Sequence, residues 1–198
     1  MNFFRRIQYN SPVILSYAII CLFVLLLGRV TEGVSTTLFF SVYKSPLTDP
    51  LFYVRLLGHV FGHASFAHYY NNFVIILLVG PMLEEKYGAR NLIIMMAATS
   101  VLTGLIYGLF FDTVLLGASG IVFMFILLSS FVNIRSAMIP LTLILVIAIF
   151  LGREVFEGAF GDDNISQITH VVGGICGAVL GFVINSEKFM RKKRSPLP

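Results

Sequence analysis

Long apolar runs separated by short polar stretches dominate the pattern of this chain. A helix that crosses a bilayer needs about 20 predominantly apolar residues, and six runs approach that length between charged residues. The six runs are Pro12 to Gly28, Phe66 to Leu83, Leu92 to Phe111, Val114 to Val132, Ala137 to Gly152 and Ile168 to Ile184. They predict an all-α membrane protein with six transmembrane helices in a single domain over residues 1–198.

The segments outside the runs refine this picture. Arg5 and Arg6 precede the first run as in a signal peptide, but no small-residue cleavage site follows it, so we expect a retained helix. The segment from Val30 to about Phe66 is long and mixes aromatic with polar residues. We expect this first loop to lie at the membrane interface.

Composition and charge support a membrane location. Hydrophobic residues make up 57% of the 198 residues and charged residues only 12%, about half the share found in soluble domains. With six spans, ten of the 14 Lys and Arg residues fall on the side that holds both termini. The positive-inside rule therefore predicts cytoplasmic termini, and a bacterial plasma membrane is our default. The basic tail at 188–198 is expected to contact anionic lipid rather than nucleic acid.

Polar residues inside apolar runs are candidates for function because they are costly at membrane depth. His68 and Asn72 are four residues apart and so share one helical face. Interhelical hydrogen bonding would be a purely structural explanation for this pair.

Two further runs carry similar signals. Ser119 lies within Gly117-Ala118-Ser119-Gly120, where the small residues could equally serve close helix packing. In the last run, His170 shares one face with Gly173 and Gly177. Glycines at this spacing would let a neighbouring helix approach the histidine closely.

Together these residues suggest acyl transfer chemistry. With six spans, His68, Ser119 and His170 all fall near the external ends of their helices. Ser119 could attack a carbonyl, His170 could accept its proton, and His68 with Asn72 could donate to the oxyanion. A dyad is expected rather than a triad, because no acidic residue lies within the runs near these positions.

The order of these motifs resembles the rhomboid intramembrane serine proteases. The resemblance is carried by His59-x3-His63-x4-His68-x3-Asn72, Gly80-x3-Glu84-x3-Gly88, Gly117-Ala118-Ser119-Gly120 and His170-x2-Gly173-x3-Gly177. It implies a six-helix rhomboid-like bundle and a Ser-His dyad that cleaves single-span transmembrane proteins in the lipid bilayer. It implies neither a metal nor an organic cofactor.

The resemblance also assigns supporting roles. The oxyanion or substrate site would include Gly117 beside His68 and Asn72. Further structural support would come from His63, Arg55, Glu84, Phe123, Gly173 and Gly177. Two residues depart from the family pattern: Val54 stands where a tryptophan usually precedes the arginine, and Phe123 where a tyrosine often stacks on the catalytic histidine.

Three alternatives remain open at this point. The first is a catalytically inactive rhomboid-like protein that binds membrane proteins without cleaving them. The second is a metal-handling protein that uses His59, His63 and His68. The third is a transporter with a polar site at the membrane midplane, although the chain lacks the visible twofold repeat that is typical of that class.

Overall fold

The computed structural model describes residues 10–131, 141, 144–145, 148, 170–180 and 183. Its helices are α1 (Pro12–Val30), α2 (Val34–Phe39), α3 (Pro50–Gly58), a 3-10 turn (His59–Phe61), α4 (Phe66–Tyr87), α5 (Ala89–Phe110), α6 (Ser119–Phe131) and α7 (His170–Leu180). The predicted all-helical class is confirmed over these residues. The predicted fifth span at 137–152 lies outside them apart from Leu141, Ile144, Leu145 and Ala148, and the basic tail lies outside them entirely.

Within the described ranges, α1, α4 and α5 are the helices long and apolar enough to cross a membrane, whereas α6 and α7 are shorter apolar helices. The predicted count of six spans therefore remains a prediction. Both α4 and α5 extend beyond their apolar runs into the polar residues around Gly88. Gly88 separates these two helices, and its φ of +83° is a conformation that favours glycine.

Local sequence explains where several helices begin. Pro12 and Pro50 occupy first-turn positions of α1 and α3, where a missing backbone N–H costs nothing. Asp49 caps α3 by accepting a hydrogen bond from the Leu51 N–H at 2.9 Å. Ser65 caps α4 in the same way through the His68 N–H at 3.1 Å.

The apolar run that begins at Val114 becomes helical only at Ser119, within the Gly117-Ala118-Ser119-Gly120 motif. Residues 114–118 are held out of the helix by two features. Leu115 exchanges two backbone hydrogen bonds with Val42 of the first loop, at 2.9 and 2.8 Å. Gly117 adopts a φ of +125°, which disfavours any residue with a Cβ.

Two apolar clusters hold the helices together. In the larger one, side chains such as Ile14, Ile76, Met95 and Phe125 pack α1, α4, α5 and α6 against each other. The smaller one joins the first loop to α5 through Val42, Phe52, Leu56, Tyr107 and Leu115. Many large apolar side chains on the outer surfaces are exposed, for example Phe23, Leu78 and Ile94. Such surfaces match the requirements of lipid contact.

Candidate active site

Ser119 is the first residue of α6, so its backbone lies at a helix N-terminus. The Val122 N–H donates to the Ala118 carbonyl at 2.9 Å. The N–H groups before Val122, including that of Ser119, therefore have no carbonyl partner within the helix. This end of the helix also carries the positive end of its dipole. A negative charge that develops beside Ser119 would be stabilised here.

His170 is the first residue of α7, and its position relative to α6 follows from two glycines. A Cβ on Gly173 would collide with the Gly120 carbonyl oxygen, and one on Gly177 would lie 2.5 Å from the Met124 carbonyl oxygen. The two pairs advance in the same direction along both helices. Helices α6 and α7 are therefore parallel, in backbone contact, and begin at the same end.

Phe123, on α6, packs against the His170 ring. It stacks on the His170 imidazole with 4.1 Å between ring centroids and 3° between planes. Phe123 lies one helical turn after Ser119. The structure thus brings Ser119, Phe123 and His170 together at the junction of α6 and α7.

His68 lies against Gly117, two residues before Ser119. A Cβ on Gly117 would be 2.7 Å from both Cε1 and Nε2 of the His68 ring. The Gly117 N–H donates to the His59 carbonyl at 2.9 Å. The loop before Ser119 therefore has no room for a side chain at position 117, and the His68 ring occupies the space.

Asn72 lies below His68 on α4 and is buried, whereas Asn71 is exposed. The Asn72 side-chain N–H donates to the His68 carbonyl at 2.9 Å. This bond fixes the amide on the same helical face as the His68 ring. His68 and Asn72 therefore form one polar strip on α4, and the His68 ring of this strip lies against the loop at Gly117.

Two buried histidines form a layer behind this strip. His59 donates from Nδ1 to the Arg55 carbonyl at 3.2 Å, and its Nε2 lies 3.3 Å from Thr103 Oγ1 on α5. The His63 ring makes an edge contact with the His68 ring, with 5.2 Å between centroids. Burial lowers the pKa of both His59 and His63 to about 4, and the neighbouring His68 adds to the effect on His63. Both imidazoles are therefore neutral near pH 7.

Arg55 anchors the first loop from inside. Only 1% of its surface is exposed. Its guanidinium lies 4.5 Å from the centre of the Tyr43 ring and donates to Ser45 Oγ at 2.9 Å and to Asp49 Oδ2. The Arg55 guanidinium, followed by the Leu51 N–H, lowers the pKa of the Asp49 carboxyl. The loop thus has an internal ion pair although Val54 precedes the arginine.

Glu84 is distant from the site and joins two helices. Its carboxylate oxygens accept hydrogen bonds from the Val13 and Ile14 N–H groups, each at 3.1 Å. These N–H groups belong to the first turn of α1, where Ser11 makes no side-chain cap. Glu84 therefore caps α1 from α4.

Several contributors were missed by sequence reasoning. Val42 and Leu115 were not singled out because a backbone pair leaves no side-chain signature. Thr103 lies in an apolar run and was overlooked, although a hydroxyl at membrane depth should have been noted. The Asp49-Pro50 pair was a readable helix start that could have located α3.

The metal alternative can be compared with the same geometry. Among the residues that the structure describes, no three His, Cys, Asp or Glu side chains are grouped closely enough to hold a metal ion. His59, His63 and His68 instead form the contacts given above.

Comparison with known proteins adds one match. The family model described as Rhomboid domain matches residues 51–187, which is more than half of the chain. A search of curated proteins gives no match.

Proposed function

Because the chain belongs to the rhomboid family, we propose that it is an intramembrane serine endopeptidase in which Ser119 is the nucleophile and His170 the general base. The family acts on membrane-protein substrates within the bilayer, and the apolar helices make this chain an integral membrane protein. The observation that carries the proposal is the parallel, backbone-to-backbone contact of α6 and α7, which start with Ser119 and His170.

In the proposed first step, Ser119 Oγ attacks a substrate carbonyl while His170 takes the hydroxyl proton. The imidazole then returns the proton to the leaving amine, which yields an acyl-enzyme. Attack by water on the ester, with His170 again as the base, releases the second product. Stacking on Phe123 would orient the imidazole, the task that an acidic residue performs in a triad.

The oxyanion would be stabilised by several donors near the serine. The N–H groups at the start of α6 are free of helical partners, the His68 ring lies against Gly117, and Asn72 is one helical turn after His68 on α4. Donors fixed before reaction are worth about 10²- to 10³-fold in rate each. Gly117 contributes by leaving space for the His68 ring.

The substrates are proposed to be single-span membrane proteins cleaved near the outer face. A peptide carbonyl inside a helix is hydrogen-bonded and hidden, so the scissile segment must be locally extended. The orientation with cytoplasmic termini and the location in a bacterial plasma membrane are parts of the same proposal. They follow from the distribution of Lys and Arg.

The test is labelling of purified protein with a fluorophosphonate probe and localisation of the modified residue by mass spectrometry. We expect modification of Ser119 in the wild type and none in Ser119→Ala. In His170→Ala the labelling rate should fall by about 10²- to 10⁴-fold. Ser129→Ala is the matched control, since Ser129 lies near the other end of the same helix and bonds to the Ile126 carbonyl.

Two outcomes would contradict the proposal. Labelling of Ser119 that is independent of His170 would show that these two residues do not act as a dyad. Absence of labelling in folded wild-type protein would favour the inactive, membrane-protein-binding alternative.

A further inference from the structure

A cavity of about 600 Å³ lies between α1 and α5, near the end where both helices begin. The two starts are adjacent because Glu84, which caps α1, lies four residues before Gly88, where α4 ends and α5 begins. Residues between 12 and 20 of α1 and between 89 and 100 of α5 form its walls, and Ile121 of α6 lies at its inner side. We call it the α1–α5 groove. None of the proposed catalytic residues lines it.

The first loop closes the groove at one end. The Tyr17 hydroxyl of α1 donates to the Val60 carbonyl at 2.7 Å. On the other wall, a Cβ on Gly104 of α5 would lie 3.1 Å from the Leu56 Cα. Further along the two helices, α2 contacts α1 and α3 contacts α5, so the loop fills that half of the gap. The groove is the other half, and its roof consists of Leu57, Val60 and Phe61.

The walls of the groove favour hydrocarbon over water. Among the hydroxyls that line it, that of Tyr17 is bonded to Val60, and that of Ser100 donates to the Met96 carbonyl at 2.8 Å. A water molecule in a cavity needs about two to four polar partners, and these two hydroxyls have already used their donors. An empty groove would lose packing contacts along its whole wall. Hydrocarbon provides those contacts without a need for hydrogen bonds.

The dimensions of the groove fit a chain and not a helix. Ala89 and Ser100 are 11 residues apart on α5, which corresponds to about 16 Å. A helix of that length and about 10 Å diameter would fill about 1,250 Å³, about twice the volume of the groove. An extended hydrocarbon chain with staggered C–C bonds advances about 1.25 Å per carbon. About 13 carbons therefore reach from the helix starts to the roof.

The groove is open to the lipid side along its rim. Ile20 and Ile93 on the rim are 47% and 53% exposed, whereas Ile121 inside is fully buried. Both α1 and α5 are long and apolar enough to cross a membrane. Their exposed first residues, Pro12 and Ala89, therefore lie near the headgroups of one leaflet. A lipid of that leaflet can place a chain in the groove.

We propose that the α1–α5 groove binds one acyl chain of a bilayer lipid. The ester end of the chain lies at the starts of α1 and α5, and the chain terminus lies against the roof. A chain in this position packs against Tyr17 and Val60, which lipid outside the groove does not reach. Binding requires neither Ser119 nor His170.

The test is photolabelling in liposomes with two phosphatidylcholines, whose 14-carbon chain carries a diazirine either at the last carbon or beside the ester. Labelled residues are identified by mass spectrometry. We expect the terminal probe to label Tyr17 and Val60, which are each only 4% exposed, and the ester-proximal probe to label neither. Ile94, exposed and outside the groove, reports contact with bulk lipid. Labelling of Ile94 without labelling of Tyr17 or Val60 would overturn the proposal.

Ala97 and Ala98 provide a matched pair of variants. Ala97 lines the groove, whereas Ala98 is exposed and does not. Ala97→Phe should reduce labelling of Tyr17 by at least about tenfold, because the added ring overfills the space that the chain occupies. Ala98→Phe should leave the labelling unchanged. Equal labelling of Tyr17 in the two variants would contradict the assignment.

Ile93 and Ile94 repeat the comparison at a second pair, in case Ala97→Phe does not fold. Both side chains are 53% exposed, but only Ile93 lines the groove. Ile93→Trp should reduce labelling of Tyr17, and Ile94→Trp should not. The two variants carry the same substitution at adjacent positions. An equal effect of both would exclude the groove as the route to Tyr17.

Other occupants of the groove give different results. A second copy of this chain would leave Tyr17 unlabelled in the wild type and give a dimer in light scattering that Ala97→Phe dissociates. Another segment of the same chain would leave Tyr17 unlabelled in a monomer. Either result would overturn the proposal. None of these readouts involves proteolysis, so the proposal can fail while the proposed function stands.

Discussion

The Phe123 ring and the His170 imidazole lie parallel, 4.1 Å apart between centroids, across the contact of α6 and α7. This stack defines the ring orientation without any hydrogen bond from position 123. Phe123→Leu should therefore lower kcat/KM by up to about tenfold, since an aromatic pair contributes about 0.5 to 1.5 kcal/mol. Phe123→Tyr should keep activity because it keeps the stack. Measurement of cleavage by both variants checks this, and loss of activity in the tyrosine variant would contradict it.

Gly173 and its neighbour Gly174 provide a matched pair on α7. A Cβ at 173 would collide with a backbone carbonyl, whereas one at 174 would lie 3.2 Å from the movable Leu127 side chain. Gly173→Ala should push α7 away from α6 and lower kcat by about 100-fold. Gly174→Ala should remain active. Equal activity of the two variants would mean that the backbone contact does not position His170.

Gly117 and Gly88 both have positive φ values, but only Gly117 faces the site. Gly117→Ala places a methyl group 2.7 Å from the His68 ring and should lower kcat by about 100-fold. Gly88→Ala has the same backbone strain with no heavy atom within 4 Å of its Cβ. It should cost stability and leave kcat unchanged. Activity assays paired with thermal unfolding distinguish the two effects.

Loss of the Glu84 cap on α1 should lower the stability of the protein and leave its catalytic rate unchanged. Glu84→Ala removes the acceptor for the Val13 and Ile14 N–H groups and should lower the free energy of unfolding by about 2 to 3 kcal/mol. The exposed neighbour Glu85→Ala is the control and should change it little. Unfolding in mixed micelles gives both values. Similar stability of the two variants would exclude the capping role.

Acid sensitivity should follow the two buried histidines. In the folded protein the pKa of His59 and of His63 is about 4, whereas in the unfolded chain it is about 6.5. Between these values the unfolded state binds more protons, so the free energy of unfolding should fall as the pH drops from about 6.5 to about 4. Above pH 6.5 these groups should have no effect.

His63→Gln is the variant that tests this dependence. It should flatten the pH profile of unfolding between pH 6.5 and 4. The Asp49 carboxyl, whose pKa is lowered by Arg55, contributes stability that is lost only at pH values below its ordinary 3.8. A profile unchanged in His63→Gln would show that this imidazole is not buried in its neutral form.

The apolar runs predicted α1, α4 and α5 well, because the thickness of the bilayer sets the length of a spanning helix whatever its neighbours are. The start of α6 could not be predicted in this way. It depends on Val42, which is far from Leu115 in sequence and binds it only through backbone atoms. Pairings of this kind leave no pattern in a single sequence.

In the candidate site, too, the sequence predicted some residues and not the contacts that support them. Ser119, His68 and His170 stand out because polar groups in apolar runs are rare. Their supports depend on tertiary contacts: the Asp49 partner of Arg55 and the α1 partner of Glu84 became visible only in the fold. The resemblance to a family indicated that Glu84 matters but not which atoms it binds.

The pairing of Val42 with Leu115 bears on how small this protein could be made. The family match begins at residue 51, after Val42 and the whole of α1. A shortened protein starting there would retain every proposed catalytic side chain but lose Val42, the backbone hydrogen-bond partner of the loop before Ser119. It would also lose the helix that Glu84 caps. The smallest active unit should therefore begin before Pro12, well upstream of the family signature.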